Sequence, residues 1–282
     1  MNTPEHTSDM TKTDIGQTSN EQDGQLIKGI TGGDDGGLHY QLYLPQALDP
    51  SRPVLTAVHG ISRNPDDWMK LFRKVADEQG TALLAPLFDQ ARFGDFQRLG
   101  RHGRGQRADH ALISVLDRLD ELYGIQSKMA LFGFSGGAQF AHRFSMVHGA
   151  RVSSLVLGAS GWYTWPDPDT AFPYGTRPVG SLPGVNFDFE TLLRIPTRVL
   201  VGSDDVVRDQ SLNCRKRIDK VQGKTRRERA ENWVSAMRSL ARERNLPDLM
   251  DLQFLPDTGH YVLDQDGGDF LRKLACDWFF NH

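Results

Sequence analysis

Residues 131–137 read Leu-Phe-Gly-Phe-Ser-Gly-Gly, with one serine, Ser135, set among glycines directly after an apolar run. Glycine costs backbone entropy, so such a cluster marks a turn with no room for side chains. Gly133, Ser135 and Gly137 fit the pattern G-x-S-x-G, in which a sharp turn from strand to helix lifts the serine hydroxyl clear of the backbone. The competing reading is a glycine-rich turn with a bystander serine. A serine hydroxyl is a weak nucleophile until a base takes its proton, and that base needs a carboxylate to hold its tautomer. Attack on a carbonyl also builds an oxyanion that requires fixed donors. The chemistry therefore calls for a histidine, an acid and two N–H groups on loops that meet at Ser135.

Stepping through the chain shows elements able to bring such loops together. LIKGI and HYQLYLP read as two strands joined by a glycine-aspartate turn, a hairpin. Short apolar strands then alternate with helices: PVLTAVHG, NPDDWMKLFRKVADEQG, TALLAPLF, ADHALISVLDRLDELYG with Asp109 as N-cap candidate, KMALFGF and GGAQFAHRFSMVHG. The strands VSSLVLGA and TRVLVG flank a Trp-, Pro- and Gly-rich segment over 161–195. Polar helices over 215–245, the strand MDLQFLP and the helix DFLRKLACDWFF follow. Strands that are apolar throughout and alternate with helices signal an α/β fold with a mostly parallel sheet covered on both faces. Ligands bind at the carboxyl ends of such strands. RVLVGSDDVV places Asp204 and Asp205 at one of those ends, and LPDTGHYV places His260 at another.

Composition bounds the rest. At 282 residues and net charge −3, the chain has no global field that would draw it to nucleic acid or an anionic membrane. Two cysteines, Cys214 and Cys276, offer neither a disulfide framework nor a metal-ligand cluster. Residues 1–24 are polar and lack the basic-then-apolar pattern of a signal peptide, so they read as a disordered tail before a domain over 25–282. No apolar run is long enough to span a bilayer. The expectation is a cytoplasmic protein.

GFSGG, the VHGISRN loop, VGSDD and DTGH occur in the order and strand context of the α/β-hydrolase superfamily, and the similarity runs from about Leu38 to Phe280. The chain resembles that superfamily, and more weakly its intracellular polyhydroxybutyrate depolymerase and feruloyl esterase-like members. The resemblance implies an α/β-hydrolase fold with an irregular flap over 161–195 in place of a large helical cap. It also implies the chain order nucleophile, acid, histidine. Of nine histidines, that order leaves His260 and the terminal His282. His260 is the expected base. The spacing from Gly202 favours Asp205 over Asp204 as the acid, with Asp209 third. The oxyanion donors expected are the amides of Gly136, after the nucleophile, and Ile61, where Gly60 lets the chain turn. His59 is expected to hydrogen-bond within its loop. Phe134 departs from many lipases, which carry histidine there.

Substrate is less legible. Trp162, Tyr163 and Trp165, with Phe172 and Tyr174, form either an apolar acyl pocket or the glue that holds the flap to the body. Arg92, Arg98, Arg101, Arg104 and Arg107 either recognise a substrate carboxylate or phosphate or serve as surface salt bridges. The basic stretch 214–244 has Ile218, Val221, Trp233, Val234, Met237 and Leu240 at helical spacing. It reads as an amphipathic pair, with no nucleic-acid motif. The leading expectation is a serine hydrolase of carboxylic esters, with no cofactor and no metal. Its partners would be a small-molecule ester or related acyl substrate and, as an open option, a second copy in a homo-oligomer. Peptidase, thioesterase and acyltransferase use the same triad, and a non-catalytic receptor or scaffold is the rival from another class.

Overall fold

A computed structural model describes residues 19–21, 24–31, 37–263 and 267–280. Nine strands form one sheet: β1 (Ser19–Glu21), β2 (Gly24–Thr31), β3 (Leu38–Pro45), β4 (Val54–Val58), β5 (Leu83–Leu87), β6 (Met129–Phe134), β7 (Val152–Gly158), β8 (Thr197–Gly202) and β9 (Met250–Leu255), in the order β1-β2-β3-β5-β4-β6-β7-β8-β9. The first three pair antiparallel, β3 pairs antiparallel with β5, and every later pairing is parallel. The hairpin and the mostly parallel sheet are thus as the alternation predicts. Most of the polar segment 1–24, and 32–36 of the hairpin turn, lie outside the described residues. Ser19–Glu21 of that segment form the edge strand β1.

The helices are α1 (Pro65–Gln79), α2 (Ala108–Tyr123), α3 (Gly136–His148), α4 (Phe189–Leu193), α5 (Lys216–Gln222), α6 (Arg226–Glu243) and α7 (Gly267–Phe280). Successive strand residues face opposite sides of a sheet. Accordingly Ala130, Phe132 and Phe134 of β6 join one core with Trp68 and Phe72 of α1 and Leu271 and Ala275 of α7. Met129 and Leu131 join the other, with Leu112 and Leu116 of α2, Phe140 and Phe144 of α3 and Trp233 and Met237 of α6. Each such buried Leu, Phe or Met side chain contributes about 1.5–3 kcal/mol. This two-sided burial is why the central strands read as continuous apolar runs.

Three expectations need correction. Asp109 is the second residue of α2 and not its cap. The guanidinium of Arg107 takes both its oxygens (2.8 and 2.6 Å), leaving none aimed at helix amides, and His148 Nε2 adds a bond at 2.8 Å. Burial pushes its carboxyl up, but His148 and Arg107 outweigh that and hold it down at about 2. Val221, expected on an apolar face, is exposed. Segment 161–195 is irregular as expected except for α4, whose cap Asp188 accepts from the amides of Glu190 and Thr191.

Candidate active site

The turn comes first. The chain leaves β6 and enters α3 through Ser135, whose φ of 52° and ψ of −108° are unusual for a residue with a side chain. Such a conformation costs of order 1–3 kcal/mol and persists only where its surroundings over-determine it. Here they do. The Ser135 amide donates to Gly158 O at 2.7 Å, and its carbonyl accepts from Gln139 N at 3.2 Å. A Cβ on Gly133 would lie 2.4 Å from Gly137 O, and one on Gly137 would lie 2.2 Å from Val58 O. Strand, turn and helix therefore pack backbone on backbone, which is the reason both positions are glycine. Ser135 itself stays 9% exposed.

Parallel register brings the other loops level with this turn, since Val58 pairs with Gly133, Phe134 with Gly158, and Gly202 with Leu255. The chain after β8 carries Asp204 and Asp205, and the chain after β9 carries His260. A Cβ on Gly202 would lie 2.0 Å from Thr258 O, so glycine lets the loop before His260 rest on the end of β8, where Asp204 N bonds Thr258 O at 3.0 Å. His260 Nδ1 then meets Asp205 Oδ2 at 3.0 Å. A carboxylate only accepts, so Nδ1 carries a proton, and in the neutral ring Nε2 is the nitrogen with the free lone pair. The His260 ring stacks on Phe134, the residue before Ser135, with centroids 5.5 Å apart. Among the described residues, Ser135 Oγ makes no hydrogen bond to a protein group in this structure. Asp205 is 1% exposed, whereas Asp204 is exposed and has only Ser203 Oγ, at 3.1 Å, on its side chain. His282 lies outside the described residues.

Sequence reasoning missed Arg226. Its Nη1 donates to Asp205 Oδ1 at 3.2 Å, and its guanidinium also binds both oxygens of Asp209 and Ser211 Oγ. Arg226 is 1% exposed although it sits in the most basic part of the chain. The signal was in the spacing: Arg226, Arg229, Trp233 and Met237 recur on one face of α6, and that face is buried. The Arg226 bonds hold the Asp209 carboxyl well below the usual carboxylate range, burial notwithstanding.

The third loop follows β4. A Cβ on Gly60 would lie 3.5 Å from Ser135 Cβ, and one on Gly136 would lie 3.3 Å from Ile61 N and 2.7 Å from Gln97 Nε2. Ile61 and Gly136 therefore adjoin each other beside Ser135. The Gln97 side-chain amide reaches the same place, a feature no motif announced. His59 holds this loop as expected: Nε2 accepts from Phe88 N at 2.9 Å and Nδ1 donates to Gly60 O at 2.8 Å. His142 on α3 is pinned in the same way, between Thr164 N and Ala138 O.

Both imidazoles are neutral, because protonating Nε2 would turn it toward a backbone N–H. Burial pushes His59 down to about 4 and His142 well below its ordinary 6.5. An unfolded histidine takes up a proton near pH 6.5, so between pH 6.5 and 4 the unfolded chain binds protons that the folded chain refuses. Stability is present in full above about pH 6.5 and falls as the pH drops toward 4, by about 3 kcal/mol for His59 alone. Urea unfolding followed from pH 7.5 to 4.5 should give this decline, with a shallower slope for His59→Gln. A flat wild-type profile would sink the reading.

The flap rings are packed. Tyr163 is fully buried and stacks on Trp233 with centroids 4.5 Å apart, its backbone tied to Gln222 in both directions. Trp162 is 2% exposed, with Arg143 over its ring at 4.4 Å. Trp165 is partly buried against the core. In this structure Trp162 and Tyr163 pack the flap against the body of the protein.

No protein-family model matches the chain, and no curated protein matches it. Solved structures do. A poly(aspartic acid) hydrolase-1 from Sphingomonas sp. KT-1 is 24% identical, with a TM-score of 0.74 over 89% of this chain and 98% of that one. A poly(3-hydroxybutyrate) depolymerase from Bordetella parapertussis is 24% identical, with a TM-score of 0.73 over 92% of this chain and 89% of that one. An S-formylglutathione hydrolase from Agrobacterium tumefaciens is 14% identical, with a TM-score of 0.62 over 94% and 99%. With a mostly parallel sheet, helices on both faces and no large cap, the chain has the α/β-hydrolase fold.

Proposed function

We propose that the protein is a serine hydrolase acting on carboxylic esters. The observation that carries this reading is the buried Asp205–His260 pair, 3.0 Å apart, whose imidazole stacks on the residue preceding the strained Ser135. In the proposed mechanism Ser135 Oγ attacks the carbonyl carbon while His260 Nε2 takes its proton. Asp205 keeps Nδ1–H in place and stabilises the imidazolium. The amides of Ile61 and Gly136 receive the developing oxyanion, a contribution that in such sites is worth about 2.7–4 kcal/mol per donor. The tetrahedral species collapses, the imidazolium returns its proton to the leaving alcohol, and an acyl-enzyme remains. Water, deprotonated by His260, then releases the acid and restores Ser135.

The names of the structural neighbours favour hydrolysis, and depolymerase, polyamino acid hydrolase and S-formylglutathione hydrolase all appear among them. Peptidase, thioesterase and acyltransferase activities would use the same groups. A receptor built on this fold needs no buried pair beside the serine, so it ranks below them. Both cysteines are free thiols, and no helix among the described residues is long and apolar enough to cross a membrane. We propose the cytoplasm as the compartment.

Intact mass after exposure to a fluorophosphonate tests the reading. One adduct is expected on the wild type and none on Ser135→Ala. Folded wild type that stays unlabelled, or an adduct that survives in the variant, would overturn the assignment of Ser135.

A further inference from the structure

Resting on that reading, one cluster beside the site points to the substrate. The turn 96–98 carries Gln97, whose side-chain amide reaches Gly136, and next to it Arg98. Arg98 donates from Nη1 to Asp95 Oδ1 at 3.0 Å, and its remaining nitrogens have no protein partner among the described residues. Arg101 takes both oxygens of the same carboxylate, at 2.7 and 3.0 Å. Arg143, on α3 two turns beyond Ser135, completes the group. It is fully buried, donating to Thr164 Oγ1 at 2.9 Å and to Gln97 O at 2.5 Å, and its Nη2 has no hydrogen-bond partner at all. The Trp162 ring lies near two of these guanidiniums, 4.4 Å from Arg143 and 5.6 Å from Arg98.

Arg98 and Arg101 thus share the single carboxylate of Asp95, which is 6% exposed, and Arg143 has no carboxylate in ion-pair contact among the described residues. A buried cation without its own counter-ion is expensive, because desolvation is not offset by a paired charge. Arg107 and Arg92, by contrast, are each neutralised, by Asp109 and Asp89. The cationic excess is therefore local to the 95–101 turn and α3, on the side of Ser135 where Gln97 lies. Of the three, Arg98 is the most exposed, at 24% of its side chain against 17% for Arg101, and it has one nitrogen committed to Asp95 where Arg101 has two. A guanidinium edge presents two parallel N–H groups that match the two oxygens of a carboxylate.

We propose that Arg98, backed by the charge of Arg143 and set against Trp162, binds a carboxylate on the ester substrate, so that the preferred substrates are half-esters of dicarboxylic acids or related anionic esters. This assigns one member of the arginine-rich loop to recognition and leaves Arg92, Arg101 and Arg107 as structural ion pairs.

The test compares kcat/KM for mono-p-nitrophenyl adipate with that for its methyl-capped diester, which has the same acyl chain without the charge. The wild type is expected to favour the anionic ester by about 10- to 100-fold, the range for one charge-assisted hydrogen-bonded contact. Arg98→Gln should bring that ratio to near one, and Arg98→Lys, which keeps the charge but not the fork, should give an intermediate ratio. Competitive inhibition of the wild type by free adipate, weakening as salt is raised, reads the same contact without any substitution. Equal turnover of the two esters by the wild type, or an unchanged ratio in folded Arg98→Gln, overturns the carboxylate site while leaving the hydrolase reading standing. Turnover of neither ester, with no fluorophosphonate adduct, overturns the hydrolase reading itself.

Discussion

Replacing His260 by alanine lowers kcat on an activated ester by about four to six orders of magnitude, and Ser135→Ala does the same. The expectation rests on the geometry around Nε2. Asp205 holds the proton on Nδ1, and Phe134 holds the ring plane beside the turn that presents Ser135. With either group gone, the hydroxyl has no acceptor or the acceptor has no nucleophile. The pair acts as a unit, so the double variant should be no slower than the slower single one. What remains, roughly 10³- to 10⁴-fold over buffer, belongs to the Ile61 and Gly136 amides and to binding. The folds should survive. His260 lies on a loop with 11% of its side chain exposed, and in Ser135→Ala a hydrogen replaces the hydroxyl without adding volume. Steady-state rates alongside thermal midpoints check both statements. Either single variant within tenfold of the wild type would remove the proposed triad.

The fold was legible because its signals are redundant. Continuous apolar strands such as LFGF and VLVG can only be buried on both faces, and most are separated from the next by a helix whose period is plain. The hairpin at the start departs from this rhythm, and its antiparallel edge followed from that. Where a reading rested on one local rule, it was fragile. Asp109 has the residue type of an N-cap, but Arg107 two residues earlier claims its carboxylate, and a side-chain ion pair is invisible to a capping rule.

The candidate site divides the same way. Ser135, Asp205 and His260 lie at strand ends, where parallel register makes sequence position a guide to spatial position. The structure brings Asp205 and His260 into contact and stacks the His260 ring on Phe134, the residue before Ser135. Gly137 and Gly202 were legible as glycines, but the atoms that forbid a side chain there come from Val58 and Thr258, far away in the chain. Gln97 was not legible, because nothing in an arginine-rich loop says which polar side chain turns inward, and Arg226 was legible only through its spacing with Trp233 and Met237 on the buried face of α6. The aromatic flap stayed open to two readings for a related reason. Rings suited to a pocket are equally suited to packing, and Trp233 and Arg143 had already claimed their faces.

Asp205→Asn should cost about 10⁴-fold in kcat, and Asp204→Asn less than threefold. Arg226 makes this contrast sharper than isosteric replacement alone would suggest. An asparagine at 205 offers one oxygen and one NH₂ group. Arg226 Nη1 can only donate, so the amide oxygen turns to it and the NH₂ group is left facing His260 Nδ1. To accept from that NH₂ group, Nδ1 must give up its proton to Nε2, and an Nε2 that carries a proton cannot take one from Ser135. The loss is thus one of tautomer, with position preserved. Asp204 has no such leverage, since it is exposed and its carboxylate meets only Ser203. Kinetics of the two variants on one ester, with folding checked by near-UV circular dichroism, decide the matter. The reverse order of losses would move the acid by one residue, and equal small losses would remove a carboxylate from the mechanism altogether.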